Sequence, residues 1–211
     1  MKTGLALATI LTCVALAMPV LAVERKKLSP DPDDLSVQAV YNYGACIAET
    51  TPKGAAEALA IDYDTEAYRK KVVALSKGHN DDRCMRWSRL RYSGVLLAGS
   101  MAESLLRSRT DAARFPMAVA YDPSRPEIKA RGPMEYLAMC AVRTDPTKSW
   151  AILAVPPTSV EEKAAMQRIG ETLTQCAAAG QKVALNRPGL RALIALAAYH
   201  MMSPAMPAQG S

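Results

Sequence analysis

The chain has 211 residues, and its 26 basic and 20 acidic side chains give a formal net charge of +6. This length suits one sizeable core or two small ones. A mild positive charge can favour an anionic partner, but the basic residues are spread along the chain, which is more typical of a solvated surface. With one phenylalanine and two tryptophans, the chain is poor in the rings that a base-stacking surface needs beside positive charge, so nucleic acid is not an expected partner.

Residues 1–22, MKTGLALATILTCVALAMPVLA, have the pattern of a secretory signal peptide. One lysine precedes an uncharged apolar run, and short side chains precede the predicted cleavage after Ala22. A lipoprotein signal ending at Cys13 is the alternative, but Cys13 lies inside the apolar run. Cleavage leaves 25 basic and 20 acidic residues. We therefore expect a secreted, periplasmic protein with no transmembrane segment after signal removal.

The first half of the mature chain predicts a flexible segment followed by a helical unit. Residues 23–33 are polar and proline-rich, as frayed termini often are. Residues 34–108 predict helical unit 1, whose first helix ends near 49 because the residue before Pro52 disfavours helix. Apolar residues three or four apart predict two further helices in this unit, with Tyr68, Val72 and Leu75 in one and Leu97, Met101 and Leu105 in the other.

Residues 109–132 break the helical periodicity and carry three prolines, which predicts a linker. Its aromatic residues Phe115 and Tyr121 are candidates for a partner-binding surface. The favoured interpretation, however, is that they pack onto the units that the linker joins.

Residues 133–202 predict helical unit 2, followed by a disordered tail at 203–211. A helix over 159–176 is indicated by a capping box of Ser159 and Glu162 at its start. Its apolar positions step by three or four, as do those of the last helix: Met166, Ile169, Leu173 and Cys176, then Leu190, Leu193, Ile194, Ala197 and Met201. Short extended segments are possible at RLRY and KVALN, before the last helix of each unit.

The two units read as tandem copies of one fold. Cys46 aligns with Cys140 at an offset of 94 residues. The same offset pairs Thr50 with Thr144, Pro52 with Pro146, Leu59 with Leu153 and Ala60 with Ala154; small length differences then pair Cys84 with Cys176 and Gly94 with Gly189. The sequence therefore predicts an all-α protein built from two duplicated helical units.

Four cysteines remain after signal removal, and an even number in an oxidising compartment predicts two disulfides. Three pairings are possible in principle. The duplication selects Cys46 with Cys84 and Cys140 with Cys176, because a bridge within each copy would exist before and after the doubling. Each closes a loop of nearly forty residues, which contributes up to about 4 kcal/mol by the chain-entropy estimate. A redox pair or a zinc site is disfavoured, because the chain has no Cys-x-x-Cys and only two histidines.

Catalytic and metal-binding patterns are weak. His79, within KGHNDDRC, has Asp81 and Asp82 nearby, but a turn of this composition forms for backbone reasons alone. His200, at the end of the last helix, is more simply structural. Glu103 and Glu135 are the best of a weak set of carboxylate candidates for glycoside hydrolysis, and we expect both to be helix-surface or cap-side glutamates instead. We predict no catalytic, metal or cofactor-binding residues.

The segments MCAVRTDP, LTQCAAAG and VALNRPGLRALIALAAYHM resemble those of a group of uncharacterised signal-peptide-bearing proteins of alphaproteobacteria. The resemblance covers most of the second copy and, more loosely, the first. It implies a Cys-containing helical unit and brings no assigned activity or site residues.

These observations favour a non-enzymatic binding or interaction protein of the cell envelope, with an envelope protein or an anionic polymer as partner. The alternatives are an envelope-directed hydrolase that uses carboxylates, and a small stress-related chaperone or inhibitor. A groove between the two units is the expected binding place.

Overall fold

The computed structural model describes residues 33–77, 84, 92–125, 127–177 and 185–203. Throughout these ranges the regular secondary structure is helical, which confirms the predicted all-α class. The helices are α1 (Asp34–Thr50), α2 (Pro52–Leu59), α3 (Glu66–Lys77), α4 (Gly94–Arg107), α5 (Phe115–Ala118), α6 (Pro133–Thr144), α7 (Pro146–Leu153), α8 (Val160–Arg168), α9 (Gly170–Cys176) and α10 (Arg187–Met202). The predicted signal peptide, residues 23–32 of the predicted flexible segment, residues 89–91 of RLRY, residues 182–184 of KVALN, and the tail from 204 lie outside the described residues.

Helices α4 and α10 form the centre of the fold, where they pack against each other. Gly99 makes this contact possible, because a Cβ placed on it would lie 2.4 Å from the Cα of Ala192. On the outside, α1 packs on α4 and α6 packs on α10. A single apolar core therefore runs through both helical halves.

The apolar stripes predicted for the last helix of each half are buried. These residues are Leu97, Met101 and Leu105 in α4, and Leu190, Leu193, Ile194, Ala197 and Met201 in α10. Burial of α10 extends well beyond its stripe, because the helix contacts α4, α6 and α7. Even Arg191, off the stripe, is 0% exposed.

Side-chain caps start α7, α8 and α10, and the sequence predicts the one at Ser159. Asn186 Oδ1 accepts a hydrogen bond from Gly189 N at 2.9 Å, and Ser159 Oγ accepts one from Glu162 N at 3.1 Å. The Glu162 carboxylate, however, accepts from Thr158 N at 2.8 Å, one residue before the position that a capping box uses. Thr158 has φ of 66°, in the left-handed region that most side chains avoid.

The continuous helix expected over 159–176 is instead two helices, α8 and α9. The chain departs from α-helical geometry at Ile169, where φ is −82° and ψ is −7°. Gly170 follows, and glycine is a poor helix former because of its backbone freedom. The three- or four-residue spacing of the apolar positions continues across the break. The buried faces of α8 and α9 therefore follow one another along the chain.

The predicted disulfides are both present, Cys46 with Cys84 and Cys140 with Cys176. Their Cα atoms are 5.4 and 5.7 Å apart, and a threonine Oγ lies 3.8 Å from one sulfur of each bridge. The helix that follows the first cysteine also recurs, since α2 and α7 each have eight residues and begin with proline. Local geometry is thus similar around the two bridges.

Candidate functional site

Glu103, a carboxylate candidate of the sequence, lies in the interior rather than on a helix surface. It is 5% exposed, and both of its oxygens accept from Arg191, at 2.8 Å from Nε and 2.7 Å from Nη2. Arg107, one turn along α4, adds an ion pair at 2.9 Å. The expected surface location was wrong because the partner, Arg191, comes from α10 and is distant in sequence.

A second carboxylate completes this buried group. Glu162 of α8 is 1% exposed, and its Oε1 lies 2.9 Å from Nη1 of Arg191. The guanidinium also donates to the carbonyls of Ile152 at 2.8 Å and Val155 at 2.8 Å. We call Arg191, Glu103 and Glu162 the sealed cluster.

Tyr41 covers the sealed cluster from α1. The Arg191 guanidinium carbon lies 5.3 Å from its ring centre, and its hydroxyl is buried with no hydrogen-bond partner among the described residues. Burial and the charge of Glu103 raise the pKa of this hydroxyl well above its ordinary value. Burial works to lower the pKa of Arg191, but the bonds to Glu103 outweigh it, and the pKa lies above its ordinary value. Arg191 therefore stays charged, and all three side chains of the sealed cluster are buried.

Glu135, the other carboxylate candidate, belongs to a second group that also consists of one arginine and two carboxylates. Arg131 Nε lies 2.9 Å from Glu135 Oε1, and Arg131 Nη1 lies 2.6 Å from Asp62 Oδ1. The guanidinium carbon is 4.2 Å from the Tyr63 ring centre. We call Arg131, Asp62 and Glu135 the open cluster, because their side chains are 31%, 43% and 14% exposed.

The open cluster lines a pocket of about 400 Å³ that we call the central pocket. Its walls come from the end of α2, from the linker, and from α6 and α10, so both halves contribute. Apolar side chains make up more than half of the walls, and these are Ala56, Leu59, Ala60, Ile61, Ile128, Met139, Leu193, Leu196, Ala197 and Met201. The polar side chains outside the open cluster are Arg125, Glu127, Lys129, His200 and Ser203. A cavity of this size that combines apolar walls with polar groups, formed where two units meet, is typical of a small-molecule site.

His200 also lines the central pocket. Its Nε2 lies 3.2 Å from the carbonyl oxygen of Leu59, and because a carbonyl can only accept, this nitrogen carries a proton. Burial lowers the pKa of the ring, and the nearby Arg131 lowers it further. His200 is therefore a neutral donor at neutral pH. His79, Asp81 and Asp82 lie outside the described residues.

The two aromatic residues proposed as a binding surface have different environments. Phe115 is fully buried, with its ring centre 5.0 Å from that of Trp150, so the linker packs through this ring and does not present it. Tyr121 is 75% exposed and lines a second groove beside the linker. Of the pair, only Tyr121 is available to a partner.

Within the described ranges, no three His, Cys, Asp or Glu side chains are grouped as a metal ion would need. Nor does any helix in this part of the chain have the length and apolarity to span a bilayer. Sequence reasoning missed Asp62, Arg131, Glu162 and Arg191. Glu162 was recognised only as a cap, and the others carry no local pattern that distinguishes them from surface charges.

No protein family, curated protein or solved structure matches the chain.

Proposed function

We propose that this chain is a non-enzymatic, periplasmic binding protein that takes a small, mostly apolar ligand in the central pocket. The observation that carries the proposal is the pocket itself, about 400 Å³ with apolar walls and a few polar groups. Secretion rests on the signal-like residues 1–22 and agrees with the two disulfides, which form in oxidising compartments.

A duplicated origin of the two halves supports this location. The corresponding disulfides, threonine contacts and proline-initiated helices are what a doubled unit would retain. The polar groups of the pocket, in contrast, do not occupy equivalent positions in the two halves, and some of them come from the linker. A site created where two copies meet needs no counterpart inside either copy.

The contacts of the open cluster favour binding over hydrolysis. A carboxylate hydrolase needs one carboxyl group to protonate the leaving group and another as base or nucleophile. Here Asp62 and Glu135 both pair with the same guanidinium, and Glu135 Oε2 also accepts from the backbone N–H of Arg131 at 2.8 Å. These contacts engage both carboxylates as acceptors of the same arginine, which suits orienting a ligand.

The test uses the mature protein and N-phenyl-1-naphthylamine, a neutral dye whose fluorescence rises in apolar sites. We expect saturable binding of the dye. Ala60→Trp should abolish this binding, because Ala60 is exposed at the pocket and an indole ring in its place would fill the cavity. The matched control is Ala112→Trp, at an exposed alanine that does not line the pocket. Equal dye binding by the two variants, or none by the wild type, would contradict the proposal.

The hydrolase alternative has its own test in a screen against envelope polymers. If turnover occurs, and Glu135→Gln abolishes it without changing the thermal midpoint, the protein is an enzyme and the binding proposal fails.

A further inference from the structure

A second groove adjoins the central pocket, and the two share Arg125, Glu127, Ile128, Lys129, Met139 and Met201 in their linings. It has a volume of about 900 Å³, and its walls are the linker, α6 and the end of α10. We call it the tyrosine groove, because Tyr121 and Tyr136 line it and are 75% and 61% exposed. Exposed tyrosines in a concavity are unusual, since such rings are commonly half-buried by packing.

The two tyrosines come from different parts of the groove, Tyr121 from the linker and Tyr136 from α6. Arg143 lies over the Tyr121 ring, with its guanidinium carbon 5.8 Å from the ring centre. Tyr136 lies seven residues before Arg143 on the same helix, so the backbones of these two residues are roughly 10 Å apart along the axis. An extended chain of sugar rings that follows the groove can stack on both tyrosines.

The charges of the groove favour an anionic occupant. Arg125 is neutralised by Asp122 at 3.2 Å, whereas Lys129 and Arg143 have no ion-pair partner among the described residues. Glu127 is the remaining acid in the lining, so positive charge is in excess. Two free cations beside exposed rings match a ligand that carries both acidic groups and apolar ring faces.

The groove is also held in shape without a ligand. Arg125 Nη1 donates to the carbonyls of Ala118 at 3.1 Å and Met201 at 2.9 Å, which fixes the linker to the end of α10. Arg125 thus fixes the linker both to the end of α5 and to the end of α10. A preformed groove lowers the ordering cost of binding.

We propose that the tyrosine groove binds an acidic polysaccharide, whose sugar rings stack on Tyr121 and Tyr136 while its acidic groups pair with Arg143 and Lys129. A protein partner suits the site less well, because charged side chains line the groove and the cores of protein interfaces are depleted in charge. This inference is independent of the ligand of the central pocket.

The experiment is calorimetric titration of the mature protein with three probes of similar length. An alginate oligosaccharide carries charge and sugar rings, a cello-oligosaccharide carries rings alone, and polyglutamate carries charge alone. We expect the alginate probe to bind at least about tenfold more tightly than either of the others, because only it satisfies both parts of the site.

Variants then assign the binding to the groove. Tyr121→Ala and Tyr136→Ala should each weaken alginate binding about tenfold, and Tyr121→Phe, which keeps the ring, by less than about twofold. Arg143→Gln should weaken binding and reduce its salt dependence. The matched control is Arg114→Gln, because Arg114 is exposed, pairs with Asp111 and does not line the groove.

Three outcomes would overturn the proposal. These are equal affinity for alginate and polyglutamate with no effect of the tyrosine variants, equal affinity for alginate and the neutral oligosaccharide, and absence of alginate binding. Dye binding in the central pocket should survive Tyr121→Ala, so failure here is distinguishable from failure of the proposed function.

Discussion

The sealed and open clusters have the same chemical parts and opposite access to solvent. Each has one arginine between two carboxylates with a tyrosine ring beside the guanidinium: Tyr41 at 5.3 Å from Arg191, and Tyr63 at 4.2 Å from Arg131. The Arg191 side chain is 0% exposed, whereas that of Arg131 is 31% exposed. Composition therefore does not distinguish a structural group from a candidate site.

The difference in access determines what each cluster can do. Burial makes each ion of the sealed cluster dependent on the others, because an unpaired charge in the interior is costly. Carbonyl groups of Ile152 and Val155 satisfy the remaining donors of Arg191, so no donor is left for a ligand. The open cluster is solvated, lines a cavity and can exchange its partners. We infer that the first cluster fixes the packing of α4, α8 and α10, and that the second is the one a ligand meets.

The largest expected effect separates the two arginines. Arg191→Leu should lower the free energy of unfolding by about 3–5 kcal/mol, because it leaves Glu103 and Glu162 buried with only the more exposed Arg107 and Arg187 as partners. Arg131→Leu should cost about 1 kcal/mol or less, as exposed ion pairs do. Urea unfolding followed by circular dichroism measures both. Equal losses of unfolding free energy in the two variants would show that the sealed cluster is no more important for stability than the open cluster, contrary to what its burial indicates.

The sequence predicted the features that follow from local spacing and missed those that depend on distant contacts. Helical stripes and both disulfides follow from residue periods and the internal alignment, and the structure has them. Arg191 lies off the predicted stripe of α10 and would be solvated on a helix with one buried face. It is buried because α4, α6 and α7 surround the helix. Its partner Glu103 is 88 residues away, a contact that no local pattern records.

The next largest effect concerns the two disulfides, which differ in whether the loop they close contains a residue of the sealed cluster. Replacing either pair of cysteines by alanine should cost about 2–4 kcal/mol, since the sequence separations, 38 and 36 residues, are nearly equal. We expect the loss to be larger for Cys140 and Cys176, because their loop contains Glu162. Unfolding of the two double variants measures the difference, and a larger loss for Cys46 and Cys84 would contradict the coupling.

A smaller effect of opposite sign is expected at Tyr41. Its hydroxyl is buried without a hydrogen-bond partner among the described residues, so its removal leaves no other group unsatisfied. Tyr41→Phe keeps the ring over Arg191 and should raise the free energy of unfolding by up to about 1 kcal/mol. Tyr63→Phe, beside the open cluster, is the matched control and should not stabilise the protein. A destabilised Tyr41→Phe variant would mean that the hydroxyl has a partner in solution.

The smallest effect concerns pH and His200, which lies close to the open cluster. Burial lowers the pKa of the folded ring, with Arg131 also lowering it and the Leu59 carbonyl and Glu135 opposing the shift. The unfolded chain has a histidine pKa of about 6.5, so just below that pH the unfolded state binds a proton that the folded state does not. The stability that His200 contributes is therefore present above about pH 6.5 and is lost as the pH falls toward the folded pKa.

His200→Gln tests this directly, since glutamine can still donate to the Leu59 carbonyl but does not titrate. Between about pH 8 and about pH 5, the wild type should lose more of its unfolding free energy than this variant, because only the wild type has the histidine to protonate. Urea unfolding at several pH values measures the slope. Parallel pH profiles for the two proteins would show that the ring titrates alike in the folded and unfolded states, and that the central pocket is more hydrated than its apolar walls indicate.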